Sequence, residues 1–239
     1  MSNASVSIVT GAGSGVGRAV CLRLAEAGHH LTLVGRTETT LRETERSIRD
    51  RLGTAVQTQV LAADIADRGQ AERVVEKTLE RWGRIDALVN SAGAAPLVPI
   101  EQTDEELLGR TFAVNVYGPA YLIVRSWPVF KRQGGGCIVN VSSMATLDPF
   151  PGFFVYAASK AAVESLARSA KNEGEGFGVR AFAVAPGAIE TPMLRRSFSW
   201  QQIPPEHTLD PDDVAAVICD CVLGRRDGEA GGTIRVPSP

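Results

Sequence analysis

The pentapeptide "YAASK" at residues 156–160 places a phenol and an ammonium four positions apart in a chain with only three tyrosines. On a helix, residues i and i+4 lie on one face, so Tyr156 and Lys160 would project side by side. A phenol ionises near pH 10, and a neighbouring positive charge is predicted to lower its pKa towards the neutral range. The pair could act as a proton donor and acceptor, although a solvated helix surface has the same spacing. Other motifs must decide between these two interpretations.

A glycine-rich segment, "TGAGSGVG" at 10–17, lies between the apolar run "VSIV" and a segment of helical period. Glycines let the backbone turn tightly and approach a ligand, and the positive end of the following helix attracts phosphate. The strand–turn–helix context favours a dinucleotide pyrophosphate site over a purely structural turn. Three residues separate Gly11 from Gly15, and Gly17 follows, so the spacing differs from the common G-x-G-x-x-G pattern.

Short runs rich in Val, Ile and Leu alternate with longer segments of helical period along the chain. The runs lie at 5–10, 31–35, 56–62, 85–90, 136–142, 179–184 and 233–236, and the helical segments at about 16–27, 38–52, 67–82, 104–132, 154–174 and 211–223. Runs such as "CIVNVS" suit strands buried on both faces, as in a parallel sheet covered by helices. We therefore predict an α/β fold: a single doubly wound domain over residues 1–239 with a seven-stranded parallel sheet, whose ligands bind beyond the carboxyl ends of the strands.

Composition argues against several classes of function. The chain carries 25 basic and 27 acidic residues, and this near balance provides no field that would attract nucleic acid or an anionic membrane. No apolar stretch approaches the roughly 20 residues of a membrane span, and the N-terminus lacks a signal-peptide pattern, so we expect a cytoplasmic protein. The cysteines and histidines lack metal-ligand spacing, which predicts no metal site. His29 and His30 follow a predicted helix end and are expected in a surface turn.

Five motifs together make the chain recognisable. They are "TGAGSGVG" at 10–17, "NSAG" at 90–93, "VNVSS" at 139–143, "YAASK" at 156–160 and "PGAIET" at 186–191. Their order and spacing resemble those of the short-chain dehydrogenase/reductase family over about residues 5–236, essentially the whole chain. The resemblance implies a Rossmann-type domain, a nicotinamide dinucleotide cofactor, and reversible transfer of the 4-pro-S hydride between a carbonyl and an alcohol.

The resemblance also implies roles for the catalytic residues. Tyr156 matches the family's general acid and base, and Lys160 matches the residue that favours the phenolate and binds the nicotinamide ribose. Ser143 matches the serine that orients the substrate; Ser142 is the alternative, since strand alternation turns the two side chains in opposite directions. Asn115 matches the asparagine that kinks its helix, binds a water and links Lys160 to solvent as a proton relay.

Cofactor contacts follow from the same resemblance. Asp64 matches the acid that meets the adenine amino group, and Ile65 would line the adenine slot. "NSAG" departs from the commoner Asn-Asn-Ala-Gly at Ser91 but keeps the turn beside the cofactor. The main chain at Ile189 and the hydroxyl of Thr191 match the groups that fix the nicotinamide ring face. The full expected set is Gly11, Ser14, Gly15, Val16, Gly17, Arg36, Thr37, Asp64, Ile65, Asn90, Ala92, Gly93, Tyr156, Lys160, Pro186, Gly187, Ile189 and Thr191.

The end of the second predicted strand, in "LTLVGRTETTL", bears on which dinucleotide binds. A carboxylate there binds the ribose 2′-hydroxyl of NAD, whereas an arginine accommodates the 2′-phosphate of NADP. Gly35 stands where NAD-preferring relatives carry Asp, and Arg36 and Thr37 follow it. We therefore predict NADP(H) over NAD(H). Ser14 weighs against this preference, because many NADP-preferring relatives have a second basic residue at that position.

Substrate selection is predicted for residues 192–210, with "DPFPGFF" at 148–154 as a second wall. Aromatic side chains in the two segments could enclose a small carbonyl compound, or those at 150–154 could form core or subunit contacts. Arg195 and Arg196 could meet an acidic substrate group, but we favour solvated arginines. Relatives commonly assemble through two long helices, so a homodimer or homotetramer is expected.

We therefore predict an NADP(H)-dependent enzyme that interconverts a small-molecule carbonyl and a secondary alcohol. NAD-dependent alcohol oxidation is the first alternative. A catalytically silent, dinucleotide-sensing or scaffold protein is the second; it would need the glycines but not the acid, and the four catalytic matches argue against it. Epimerisation or dehydration with transient oxidation is the third, because the same residues permit it.

Overall fold

A computed structural model describes residues 4–239 and contains one parallel sheet of seven strands. The strands are β1 (Val6–Thr10), β2 (His30–Gly35), β3 (Thr58–Ala62), β4 (Ala87–Asn90), β5 (Gly136–Val141), β6 (Val179–Pro186) and β7 (Thr233–Val236). Their order is β3-β2-β1-β4-β5-β6-β7. In β1, Ile8 lies opposite Thr32 of β2 on one side and Leu88 of β4 on the other. The strand order therefore reverses at β1 and β4, where open α/β sheets bind ligands.

Helices cover both faces of the sheet. They are α1 (Gly15–Glu26), α2 (Glu38–Leu52), α3 (Arg68–Trp82), α4 (Glu105–Phe112), α5 (Gly118–Gln133), α6 (Phe154–Gly174), α7 (Pro192–Ser197) and α8 (Pro211–Val222). One buried apolar cluster joins the sheet to α1, α2 and α8, and a second joins it to α3, α5 and the far end of α6. In β1, Ile8 enters the second cluster and Val9 the first, and all five residues of the strand are buried. The predicted sheet and its two helical layers are confirmed.

Two features differ from the sequence prediction. The single helix predicted over 104–132 is interrupted by a π-helical segment, Ala113–Tyr117, that separates α4 from α5 and contains Asn115. The six-residue helix α7 was not predicted, because its length supplies too few turns for a periodic signal. A local signal does exist: Thr191 accepts a hydrogen bond from the Leu194 N–H, and Pro192 occupies the first helical position.

Buried polar and sulfur groups complete the interior. All four cysteines are free and buried, and burial raises the pKa of the Cys137 thiol to about 12, as expected for small apolar packing residues. The predicted surface turn at His29 and His30 is wrong: both are buried, and His30 begins β2. Within residues 4–239 no helix has the length and apolarity needed to cross a membrane, and no group of three or more potential ligands is placed to hold a metal ion.

Candidate active site

The four predicted catalytic side chains come together beyond the carboxyl end of β5. Ser143 lies two residues after that strand, Tyr156 and Lys160 lie in the first two turns of α6, and Asn115 lies in the π-helical segment. Tyr156 and Lys160 share one face of α6, as the spacing predicted, with the Lys160 Nζ 5.8 Å from the centre of the Tyr156 ring. These side chains therefore lie at the carboxyl ends of the strands, where parallel α/β sheets bind their ligands.

Ser143 and Ser142 have different partners. The Ser143 hydroxyl lies close enough to the Tyr156 phenol to lower its pKa, and it accepts from the Ala145 N–H at 3.2 Å. The Ser142 hydroxyl points away into the interior, where it donates to the Glu164 carboxylate at 2.7 Å and approaches the Lys160 carbonyl at 3.2 Å. Strand alternation thus separates the two side chains, and the geometry favours Ser143 as the substrate-orienting serine.

Burial dominates the ionisation of the pair on α6. Desolvation raises the pKa of Tyr156, and the hydrogen bond from Ser143 opposes it. Desolvation also lowers the pKa of Lys160 to about 8. The prediction that the Lys160 charge lowers the pKa of Tyr156 is therefore wrong for this arrangement, because removal from water disfavours the charged form of both side chains. The Lys160 ammonium donates to the Val141 carbonyl at 2.7 Å, which holds it under the end of β5.

Asn115 connects three segments of the site. Its Nδ2 donates to the Ala94 carbonyl at 2.8 Å and to Ser159 Oγ at 2.9 Å, and its Oδ1 accepts from the Ala94 N–H at 2.7 Å. Ser159 in turn donates to the Tyr156 carbonyl at 2.7 Å. These bonds explain the π-helical segment, since they pull Asn115 out of the regular helical register towards α6. A Cβ at Gly93 would lie 3.3 Å from Asn115 Oδ1 and 3.4 Å from Lys160 Nζ, so the two polar groups border the same glycine.

Sequence reasoning missed Glu164. Its Oε1 accepts from Ser142 at 2.7 Å and from the Thr146 hydroxyl at 3.0 Å, and that hydroxyl also lies 3.0 Å from the Ser143 carbonyl. Glu164 therefore ties the turn that carries Ser143 to α6. A signal was available, because positions 156, 160 and 164 repeat every four residues along one helix face.

The glycine-rich segment fits a dinucleotide pyrophosphate. Gly11 and Gly15 have φ of 68° and 49°, a region that non-glycine residues rarely adopt. Ser14 precedes α1 without making a side-chain capping bond, so the first N–H groups of this helix lack the partner that such a residue usually supplies. Val16 and Gly17 are buried in its first turn. These unpaired donors and the close backbone are the features that phosphate binding at a helix N-terminus requires.

Two other motifs meet this glycine-rich segment. Thr10 Oγ1 accepts from the N–H groups of Ser91 and Ala92, both at 3.0 Å. A Cβ at Gly15 would lie 3.0 Å from Thr191 Cγ2. Asn90 is turned into the sheet, where its amide donates to Asn140 Oδ1 at 2.8 Å, so it supports the turn rather than facing the crevice.

The predicted nicotinamide-flanking segment follows β6, whose last residue is Pro186. Gly187 packs under the C-terminal tail, because a Cβ there would lie 2.3 Å from Ser238 Oγ. Ile189 bridges to Leu209, and Thr191 caps α7. The segment is thereby fixed beside the glycine-rich loop.

The predicted adenosine-binding residues lie beyond β2 and β3. Arg36 and Thr37 are exposed after β2, and Gly35 packs against Leu41. Asp64 accepts from the Ala66 N–H at 3.0 Å, which leaves its second carboxylate oxygen for a ligand. Ile65 is buried and packs against Gly118, where a Cβ would lie 2.9 Å from it.

Arg18 is a further residue that sequence reasoning missed. It donates to the Gly13 carbonyl at 2.7 Å and approaches the Thr40 carbonyl at 3.4 Å. It therefore holds the glycine-rich loop to α2, near the residues predicted to meet the ribose.

A cluster of aromatic side chains packs next to Tyr156. The ring centre of Phe153 lies 4.9 Å from that of Tyr156 and 6.0 Å from that of Phe198. Phe150 lies 5.5 Å from Phe198 and 6.1 Å from Phe153. We call Phe150, Phe153 and Phe198 the aromatic wall. It joins the two segments predicted to select the substrate.

The two arginines of this region differ. Arg196 is exposed, as the favoured interpretation expected. Arg195 is partly buried and paired rather than free in solvent: its guanidinium forms a two-point salt bridge with Glu190, with one bond of 2.7 Å, and donates to the Ile203 carbonyl at 2.8 Å. Glu190 has a lowered pKa because of this bond. Arg195 thus links Glu190 to Ile203 within the segment that follows β6.

Comparison with known proteins identifies the family. Residues 5–202 match the family model for the short chain dehydrogenase. Levodione reductase of Leifsonia aquatica is 34% identical over 228 residues, which cover 94% of this chain and 82% of that protein.

Two solved structures extend the likeness. A 3-ketoacyl-(acyl-carrier-protein) reductase from Brucella melitensis, solved with NADH, superposes with a TM-score of 0.89 at 28% identity, over 98% of this chain and 96% of that chain. An alcohol dehydrogenase from Thermococcus sibiricus, solved with 5-hydroxy-NADP, gives 0.86 at 25% identity, over 99% and 97%. The chain therefore belongs to the short-chain dehydrogenase/reductase family of Rossmann-fold oxidoreductases, which act on CH–OH groups with a nicotinamide dinucleotide.

Proposed function

We propose that this oxidoreductase interconverts a small-molecule carbonyl compound and a secondary alcohol with Tyr156 as the proton donor and acceptor, and that it prefers NADP(H). The observation that carries the proposal is the grouping of Ser143, Tyr156, Lys160 and Asn115 at the strand ends where the glycine-rich loop and Thr191 also meet. The bound nicotinamide would supply or accept the hydride. Gly11, Gly15, Arg36, Asp64 and Thr191 would hold the dinucleotide.

The residues of this chain manage the proton. In reduction, Ser143 and Tyr156 donate hydrogen bonds to the carbonyl oxygen, and Tyr156 transfers its proton as negative charge develops there. The raised pKa of Tyr156 keeps the phenol protonated at neutral pH, which suits this direction. In oxidation the phenol must first lose a proton, which burial opposes. After reduction, Lys160, whose pKa is lowered to about 8, would return a proton to Tyr156, and in oxidation it would accept the proton that Tyr156 releases. Asn115 would support the path to solvent.

A substitution of the phenol tests the proposal. Tyr156→Phe removes only the transferable hydroxyl, so we expect NADPH affinity within about twofold of wild type and a loss of ketone reduction of roughly 10²- to 10⁴-fold. Initial rates and a fluorescence titration measure the two quantities. Tyr121→Phe, on α5, is the matched control. Unchanged turnover by Tyr156→Phe would refute the assignment, and the absence of turnover by wild type with any carbonyl would favour a scaffold protein.

Net cofactor turnover separates oxidoreduction from the remaining alternative. Epimerisation or dehydration with transient oxidation uses the same residues but regenerates the cofactor within each cycle. Consumption of NADPH in proportion to the alcohol formed therefore supports the proposal.

Cofactor preference is proposed from the end of β2. Arg36 is exposed there and free of a neighbouring carboxylate at position 35, which supports binding of a 2′-phosphate. Titration with NADPH and NADH side by side is the test. Arg36→Ala is expected to weaken NADPH binding by about 10-fold or more and to change NADH binding less than threefold. Arg49→Ala, exposed on α2, is the control; an equal effect of Arg36→Ala on both dinucleotides would contradict the preference.

We also propose a homodimer or homotetramer. Three large side chains on this stretch are exposed: Leu108 of α4, Tyr117 of the π-helical segment and Val124 of α5, which is 71% exposed. Sedimentation velocity tests this proposal, and a monomer at micromolar concentration would refute it. The cytoplasmic location, the single domain over residues 1–239 and substrate selection by residues 192–210 stay predictions.

A further inference from the structure

We infer that the site selects uncharged carbonyl compounds that carry an aromatic or alicyclic ring, and that it discriminates against those with a carboxylate on that ring. The inference rests on the proposed function, because it assumes that the reacting oxygen lies at Ser143 and Tyr156. It concerns what the rest of the substrate contacts.

The aromatic wall begins at the catalytic phenol. The Phe153 ring packs on the Tyr156 ring and is only 9% exposed, so it is a fixed part of the site. Phe198 meets Phe153 edge to face, with an interplanar angle of 83°, and Phe150 closes the cluster while remaining 52% exposed. A substituent that extends from the carbonyl along this side meets ring surface, which favours an apolar group and offers geometries that suit another ring.

The wall is anchored from a third segment. Gly152 has φ of 92°, its carbonyl accepts from the Val98 N–H at 2.9 Å, and a Cβ on it would lie 3.0 Å from Leu97 Cδ1. The loop after β4 therefore packs directly against residues 150–153. Because this contact fixes the backbone between Phe150 and Phe153, the two rings are held in place before a substrate arrives, which lowers the entropic cost of binding.

Charge near the wall favours a neutral substrate. Arg195 is the cation that the sequence offered as a partner for an acidic group, but Glu190 neutralises it and the Ile203 carbonyl takes a further N–H. Arg196 is exposed on the neighbouring turn position, about 100° around α7. A carboxylate placed against the aromatic wall would exchange water for ring surface, and Arg195 is already paired with Glu190, so burial of the carboxylate there is unfavourable.

A matched pair of ketones tests the inference. Acetophenone and 4-acetylbenzoate differ only by a ring carboxylate, and butanone serves as a small substrate that does not reach the wall. With wild type and the preferred dinucleotide, we expect kcat/KM for acetophenone to exceed that for 4-acetylbenzoate by about tenfold or more. Phe198→Ala is expected to lower kcat/KM for acetophenone about tenfold, to leave that for butanone within threefold, and to reduce the discrimination.

Two further variants make the result decisive. Phe198→Leu keeps apolar volume and should give an intermediate loss, and Phe177→Ala removes a ring that packs on Trp127 instead, so it should leave the ratio unchanged. Equal kcat/KM for the two aryl ketones, or equal losses in Phe198→Ala and Phe177→Ala, would overturn the inference. So would a change in sedimentation coefficient in Phe198→Ala with an unchanged ratio, because the ring would then be a subunit contact. Reduction of butanone without discrimination would leave the proposed function standing, whereas no reduction of any ketone would refute that function itself.

Discussion

At the scale of single residues, the site gives up stability at neutral pH to hold the Lys160 ammonium away from water. Burial raises the pKa of Tyr156 and lowers that of Lys160 to about 8, so each charged form is disfavoured in the folded chain. The unfolded chain carries no such penalty. Lys160 recovers part of the penalty through its bond to the Val141 carbonyl.

Replacing Lys160 should therefore stabilise the fold. Between pH 8 and the ordinary lysine pKa near 10.5 the unfolded state binds more protons, so stability rises with pH in this window and the full penalty is present below it. We expect Lys160→Met to raise the free energy of unfolding at pH 7 by roughly 1–3 kcal/mol, with a smaller gain at pH 10. Urea denaturation at both pH values measures this effect.

A surface lysine provides the comparison for that experiment. Lys131→Met, exposed near the end of α5, should leave unfolding within about 0.5 kcal/mol of wild type. If Lys160→Met were less stable than wild type at pH 7, the bond to Val141 would outweigh desolvation, and the account of the pKa given above would be wrong.

At the scale of elements, the residues of the proposed proton chemistry lie along one face of α6. Tyr156, Lys160 and Glu164 follow each other at four-residue spacing, and Glu164 reaches across to the turn after β5 through Ser142 and Thr146. The helix therefore positions both Tyr156 and the turn that carries Ser143. Glu164 acts as a positioning residue in this arrangement.

Glu164→Ala should affect the pH dependence as well as the rate. Without the carboxylate the Ser143 turn loses its tie to α6, so we expect kcat to fall about tenfold. The rising limb of the pH–rate profile for alcohol oxidation should shift to higher pH, because Ser143 no longer lowers the pKa of Tyr156. Glu164→Gln keeps an acceptor oxygen and should retain most of the rate. The pH–rate profile measures both variants.

Two results distinguish positioning from general stability. Glu173→Ala, exposed on the same helix, should leave the profile unchanged. If Glu164→Ala had a lower melting temperature but an unchanged pH–rate profile, Glu164 would only stabilise the helix.

The elements also show where sequence reasoning ends. Periodicity predicted the sheet and most helices, because their buried faces repeat along the chain. It could not predict the break at Asn115, which depends on contacts with Ala94 and Ser159 from other segments. Spacing chose Ser143 over Ser142, but it predicted the wrong direction for the pKa of Tyr156, because desolvation follows from packing. The salt bridge between Arg195 and Glu190 likewise depends on the fold of residues 190–208, which the sequence pattern does not predict.

At the scale of the whole molecule, two histidines, His29 and His30, lie at the end of the sheet opposite the candidate active site. His29 shares a hydrogen bond of 2.8 Å with Ser7, and the His30 Nδ1 accepts from the Gln57 N–H at 3.2 Å. Burial lowers the pKa of both, against the nearby negative charge of Asp86 for His29, while Arg81 lowers that of His30 further. The folded chain thus favours the neutral rings.

Acid should destabilise the protein through protonation of these two histidines. Because the unfolded state binds more protons below the ordinary histidine pKa near 6.5, stability falls as pH decreases from there towards the lowered pKa values. Between pH 7.5 and pH 5 the free energy of unfolding should fall for both proteins, and the fall should be about 1 kcal/mol smaller for His29→Gln than for wild type. Urea titrations at the two pH values measure it. His207→Gln, exposed before α8, is the control; identical pH dependence in His29→Gln and wild type would contradict this account.

The aromatic wall has a consequence for recombination of this chain with its relatives. Phe150 and Phe153 come from the stretch before α6, whereas Phe198 follows α7, and each ring is held by its own stretch. A graft of residues 192–210 alone would set a foreign ring against native ones and leave a mismatched seam beside Tyr156. The two stretches form one exchangeable unit, and a chimera that is meant to change the preferred substrate must inherit both from the same parent.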